Sequence, residues 1–142
     1  MLANYIDKRS QQAALREQLI LANDSSLPVL VHDRTPEQEV LDILEEEGNM
    51  KIGVAIYGFA KDLTYAKRRI NNGICLSTEL RGISQENSTF EETIKQISLT
   101  YLLTETDSDN PERVVVVVKK IAELKNLSMH EVGKNLESYL TV

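Results

Sequence analysis

Alternation of short apolar runs with amphipathic stretches predicts an α/β fold built on a parallel sheet. Two observations carry that reading. Four runs rich in branched residues recur along the chain, and a segment with helical spacing follows each of them. No linker, repeat or low-complexity stretch interrupts the alternation, so residues 1–142 read as a single domain.

The first element is a helix from Ile6 to Ala22, where Ala14, Leu15, Gln18, Leu19 and Ala22 recur at helical spacing. Asn23-Asp24-Ser25-Ser26 closes it as a turn. Leu27-Pro28-Val29-Leu30-Val31-His32 then reads as a strand buried on both faces, the habit of parallel sheets. Thr35-Pro36-Glu37 opens a second helix with a capping residue and a proline at the first position, and Gly48 ends it.

Ile52 to Tyr57 is the second strand, and Asp62 caps a helix to about Ile70 that Asn71-Asn72-Gly73 breaks. Ile74-Cys75-Leu76 marks a short third strand, with Cys75 read as a small buried core residue. Gly82 to Ser88 is a loop, Thr89 to Gln96 a helix, and Leu99 to Thr104 the fourth strand. Two helices follow, near Pro111–Lys125 and Ser128–Leu140. The run Val114–Val118 has the β-propensity of a strand, but Val114, Val117, Val118, Ile121 and Leu124 keep helical spacing.

Composition narrows the function. A hydrophobic content of 42% with 27% charged residues is that of a globular protein. A net charge of -6 argues against a protein whose main purpose is holding nucleic acid, which uses a basic face. It leaves a nuclease open, because divalent cations supply positive charge locally. The lone Cys75 forms no internal disulfide, and no Cys/His cluster has structural-zinc spacing. The opening MLANYIDKRS has no apolar core and no long apolar run occurs, so the expectation is a cytoplasmic protein with no membrane segment. Lys67-Arg68-Arg69 and Glu45-Glu46-Glu47 read as solvated helix faces, and His130 as a surface residue.

In parallel α/β folds the chemistry sits at the C-terminal ends of strands. Those ends are His32-Asp33-Arg34, Tyr57-Gly58-Phe59, Ser77-Thr78-Glu79 and Glu105-Thr106-Asp107. His32 and Asp107 are nitrogen and oxygen donors suited to a hydrolytic metal. The guanidinium of Arg34 could grip a phosphate or pair with Asp33 or Glu37.

These segments, in this order, resemble the second half of TatD-related deoxyribonucleases. Leu27 to Arg34 is similar to the family's LPVIIHSR strand, Ile56-Tyr57-Gly58-Phe59 falls where the family has IHCF, and Leu102 to Asp107 is close to LLLETD. Ile121 to Ser128 resembles its IAELKGIS helix join, and Gln11 to Ala22 its segment before the fifth strand. The resemblance implies a partial (β/α)8 TIM-type barrel of four parallel strands with flanking helices. The family's two-metal site uses an HxH pair on the first strand, a Glu on the fourth, a His on each of the fifth and sixth, and an Asp on the eighth. His32 matches the fifth-strand ligand, and Asp107 the eighth-strand ligand and general base. Tyr57 replaces the sixth-strand His, Asp109 replaces a proline common after the ETD motif, and the HxH pair and Glu have no counterpart.

Two function classes follow. One is a metal-dependent phosphodiesterase remnant, inactive as an isolated chain, binding magnesium, manganese or zinc weakly or not at all, with nucleic acid only as substrate. The other is a non-catalytic half-barrel serving as an interaction or structural module. A weaker third is an open-sheet ligand-binding domain that keeps the fold alone. Four tilted strands leave unpaired edges and an apolar interior face, so a homodimer or a complementary half-barrel chain is the expected partner.

Overall fold

The computed structural model describes residues 7–33, 39–47, 52–79, 82, 88–106 and 110–137. Arg34, Thr35, Pro36, Glu37, Gly48, Asp107 and Asp109 lie outside the described residues, as do Ile6 and the last three residues of the closing helix as it was expected. The chain divides into two compact units, Met1–Val54 and Ala55–Val142.

In the first unit, helix α1 spans Lys8–Asp24. Asp7 caps it: one carboxylate oxygen accepts the Ser10 N–H at 3.1 Å, and the other accepts the Ser10 hydroxyl at 2.7 Å. Leu19 is its one fully buried residue, and Leu15, Arg16, Ala22 and Asn23 are half-buried beside it. Ala14 and Gln18, expected on that stripe, are exposed. Leucine buries far more apolar area than alanine or the glutamine stem, so Leu15 and Leu19 set which way the helix faces. The helix runs on through Asn23 and Asp24, which were expected in the turn, and only Ser25 and Ser26 turn the chain, with Ser26 at φ 55 and the Leu27 N–H donating to the Ala22 carbonyl at 2.9 Å.

Strand β1 spans Val29–His32, and helix α2 spans Glu39–Glu46. Leu41, Ile43 and Leu44 are the buried residues of α2. Lys8 pairs with Glu39 at one end of α2, and Arg16 pairs with Glu46 and, at 3.0 Å, with Glu47 at the other. Equal sequence intervals meeting in the same sense mean that α1 and α2 run side by side in one direction. Glu46 and Glu47 are therefore not the purely solvated helix end that a run of acids suggests. Strand β1 also departs from expectation: Val31 is buried, but Leu30 is 58% exposed and His32 is exposed. That is the alternation of a strand with one covered face. The Val29 N–H donates to the Gly53 carbonyl at 2.9 Å, just before β2.

Strand β2 (Val54–Tyr57) leads into the second unit, which continues with helix α3 (Leu63–Asn71), β3 (Cys75–Thr78), α4 (Ser88–Gln96), β4 (Leu102–Thr104), α5 (Arg113–Lys125) and α6 (Met129–Glu137). β2 and β3 pair in parallel with Ile56 opposite Leu76, and β3 and β4 pair in parallel with Ser77 opposite Leu103. No antiparallel neighbour interrupts this run, as the alternating sequence predicts. Asp62 caps α3 by accepting the Tyr65 N–H at 2.9 Å. Gly73, at φ +72, ends it while the Ile74 N–H returns to the Arg69 carbonyl at 3.0 Å.

The fourth strand is shorter than expected because Leu99–Tyr101 forms a 3-10 turn. Ser98 drives it locally, its hydroxyl accepting the Thr100 N–H at 3.3 Å. The valine run is helical: Val117 and Ile121 are fully buried, Val114, Val118 and Leu124 half-buried, and Val115 and Val116 about half exposed. Burial repeating every three to four residues is the helical period that outvotes β-propensity. Asn126 at φ 54 turns the chain, and Ser128 and Glu131 then form a capping box at the start of α6. Phe59, Phe90, Ile94, Leu102, Val117, Ile121 and Val132 fill the core of this unit. Cys75 is only half-buried, whereas its neighbours Ile74 and Leu76 are in the core.

Candidate functional site at the strand ends

His32 stands at the C-terminal end of β1, in the first unit, with its imidazole on the exposed face. Asp33 beside it is buried, at 8% exposure. Asp107, the other expected ligand, lies outside the described residues. Tyr57, at the sixth-strand position of the resemblance, closes β2 in the second unit and is half-buried. A neutral phenol is a poor divalent-metal donor beside an imidazole, because its proton is held to about pH 10.

In the second unit the three strand ends are laced by hydrogen bonds. Past the end of β2, the Phe59 N–H donates to the Ser77 carbonyl at 2.8 Å. The Glu105 N–H, just past β4, donates to the Thr78 carbonyl at 3.0 Å. Thr78 is fully buried, and its hydroxyl donates to the Phe59 carbonyl at 3.2 Å. The Gly58 N–H donates to Glu105 Oε1 at 2.7 Å. Glu105 Oε2 is shielded from water.

Two glycines serve this lacing, one by its backbone conformation and one by its close packing. Gly58 sits at φ +69, a backbone conformation that a side chain resists. A Cβ on Gly82 would come 3.3 Å from the Ala60 Cβ and 3.4 Å from the Phe59 carbonyl, so Gly82 lies directly against the turn that leaves β2. Behind the turn, Phe59 stacks on Tyr65 at 6.0 Å and meets Phe90 at 5.7 Å. The guanidinium of Arg69 lies over the Tyr65 ring. Arg69 is 3% exposed, so the basic cluster in α3 is not a uniformly solvated face.

Among the described residues no three His, Cys, Asp or Glu side chains converge as a ready metal centre. The donor chemistry suits a divalent ion at His32, an exposed imidazole at a strand end, and does not suit it at Tyr57. Sequence reasoning placed Glu105 at a strand end but assigned it no role. The available signal was its place as the first charged residue after an apolar strand, and its partner Gly58, far off in sequence, was invisible. Among the described residues, no helix is long and apolar enough to cross a membrane.

The model of the family described as TatD related DNase matches residues 2–140. The uncharacterized metal-dependent hydrolase YabD of Bacillus subtilis is 28% identical over 138 residues, covering 89% of this chain and 54% of its own length. Human deoxyribonuclease TATDN3 is 27% identical over 135 residues, covering 88% and 48%. Among solved structures, YJJV, a TatD homolog from Escherichia coli, superposes with a TM-score of 0.82 at 24% identity, over 94% of this chain and 57% of that one. A TatD family hydrolase from Entamoeba histolytica gives 0.80 at 16% identity, over 94% and 56%. These two likenesses bear on the fold alone. The chain spans about half the length of the relatives that it matches.

Proposed function

Because the chain belongs to the family of TatD-related DNases, we propose that it carries part of a metal-dependent phosphodiester hydrolase site and is inactive as an isolated chain. His32 is a metal ligand in this reading, and Asp107 is both ligand and general base. The observation that carries it is the family match across 2–140 in a chain spanning about half of its relatives' length. The matched residues include His32 and Asp107, and the HxH pair and the Glu expected from the family pattern are not among them.

When bound, magnesium, manganese or zinc would polarise the scissile phosphate and acidify the attacking water. The chain's own part is narrower. The imidazole of His32 offers a neutral nitrogen donor, and the carboxylate of Asp107 offers an anionic oxygen that takes the proton from water. DNA is the substrate class this reading favours, since one relative is named a deoxyribonuclease. A net charge of -6 gives the chain no general attraction for DNA, so recognition runs through the metal-neutralised phosphate.

In this reading the remaining ligands are supplied from outside the matched residues, by a complementary half-barrel segment or a second copy. A complementary chain satisfies the ligand set better, because a second copy repeats His32 and Asp107 without supplying the HxH pair. The test is a DNA-cleavage assay with each of the three metals, on the chain alone and together with a TatD-family segment bearing the HxH strand. We expect no cleavage by the chain alone, cleavage by the mixture, and loss of it in D107N. Robust cleavage by a chain carrying both H32A and D107N would place the site elsewhere. A mixture that assembles yet stays inactive would favour the non-catalytic interaction module instead.

A further inference from the structure

β3 lies between β2 and β4, so the exits of β2 and β4 are two strand spacings apart, roughly 10 Å. The Glu105 side chain closes that distance. Its backbone N–H is bound to the end of β3 at Thr78, and its carboxylate reaches on to the Gly58 N–H at the exit of β2. Thr78 adds the return link to the Phe59 carbonyl. Each of the three strand ends is therefore bound to the other two, and Glu105 is the one member that spans β3. Gly58 can present its N–H this way because it adopts a positive φ.

We propose that Glu105 is a positioning residue: its carboxylate locks the exit of β2 to the exit of β4 and so holds the strand ends at which the functional reading above puts the metal chemistry. In the metal-binding part this rests on the functional reading above. The acceptor oxygen at position 105, rather than its charge, is what the geometry uses, because the Gly58 N–H needs only a hydrogen-bond acceptor. A glutamine offers the same oxygen at the same reach.

The experiment compares the unmodified chain with E105Q and E105A by two readouts: amide hydrogen exchange at Gly58, and Mn2+ affinity from paramagnetic relaxation of water. E105A should speed exchange at Gly58 at least about tenfold and weaken Mn2+ binding about tenfold, the usual size of an outer-shell loss, while E105Q stays within about twofold on both. If E105A does not fold, Glu105→Met, which keeps the methylene stem, takes its place. Unchanged Gly58 exchange in E105A would overturn the lock. Equal loss of Mn2+ in E105Q and E105A would overturn positioning in favour of direct charge at the metal. Absence of Mn2+ binding in the unmodified chain, even with a complementary segment, would sink the functional reading and the metal part with it. Gly58 exchange would then still decide the lock by itself.

Discussion

The guanidinium carbon of Arg69 lies 3.4 Å from the centroid of the Tyr65 ring, one helical turn before it on α3. The planar cation is stacked on an aromatic face in a site from which water is largely excluded, since Arg69 is 3% exposed. Tyr65 rests on Phe59, which leaves β2, so the cation braces the base of the strand-end turn.

Replacing Arg69 by lysine should therefore cost stability even though charge is kept, because an ammonium cannot stack as a plane. We expect a loss of about 1–2 kcal/mol for R69K and about 2–4 kcal/mol for R69A, which also forfeits the packed stem. Urea denaturation measures both, and an R69K variant as stable as the parent would refute the stacking argument.

Gly58 tests a different cause. Nothing lies within 4 Å of where its Cβ would be, so a substitution there meets backbone strain without a clash. G58A should lower stability by about 1 kcal/mol, with G58N recovering part because asparagine tolerates left-handed backbone. A loss several times larger in the same denaturation series would mean that the side chain itself is excluded.

The start of α6 should respond to acid. The Ser128 backbone N–H, then its hydroxyl, donate to the Glu131 carboxylate and hold it below its ordinary value of 4.5. A carboxyl depressed in the folded state contributes stability that is fully present above pH 4.5 and is lost as pH falls through the folded value. Helix α6 should fray in that window, seen as faster amide exchange in its first turn, and E131Q should flatten the pH dependence. An acid response unchanged in E131Q would assign it to other groups.

Association is the fourth expectation. Leu30 is 58% exposed on β1, on the same face as His32, and an exposed strand face is a surface for pairing. Light scattering should show a dimer of the chain at micromolar concentration, or a complex once a complementary segment is added. L30E should shift either assembly to monomer. A stable monomer in both settings contradicts the partner reading.

Much of this fold was legible in the sequence because the signals are local. A capping Asp62, a helix-breaking Asn72-Gly73 and a valine run spaced for one helix face act within a few residues of themselves. Those signals survive without knowledge of the rest of the chain. Where the structure departs from the sequence periodicity, a competing local feature wins. Ser98 turned the start of the fourth strand into a 3-10 turn, and the greater apolar area of Leu15 and Leu19 rotated α1 away from Ala14 and Gln18.

By itself the sequence determined the α/β alternation, the order of the elements and the residue types offered at each strand end, including His32, Tyr57 and Asp107. Periodicity, caps and strand-end chemistry are written in neighbouring residues. Tertiary structure alone decided that the Arg69 side of α3 is buried, that Leu30 is left exposed, and that Glu105 binds Gly58, 47 positions away. Such pairings depend on which strands lie side by side, and that geometry exists only after the chain has folded.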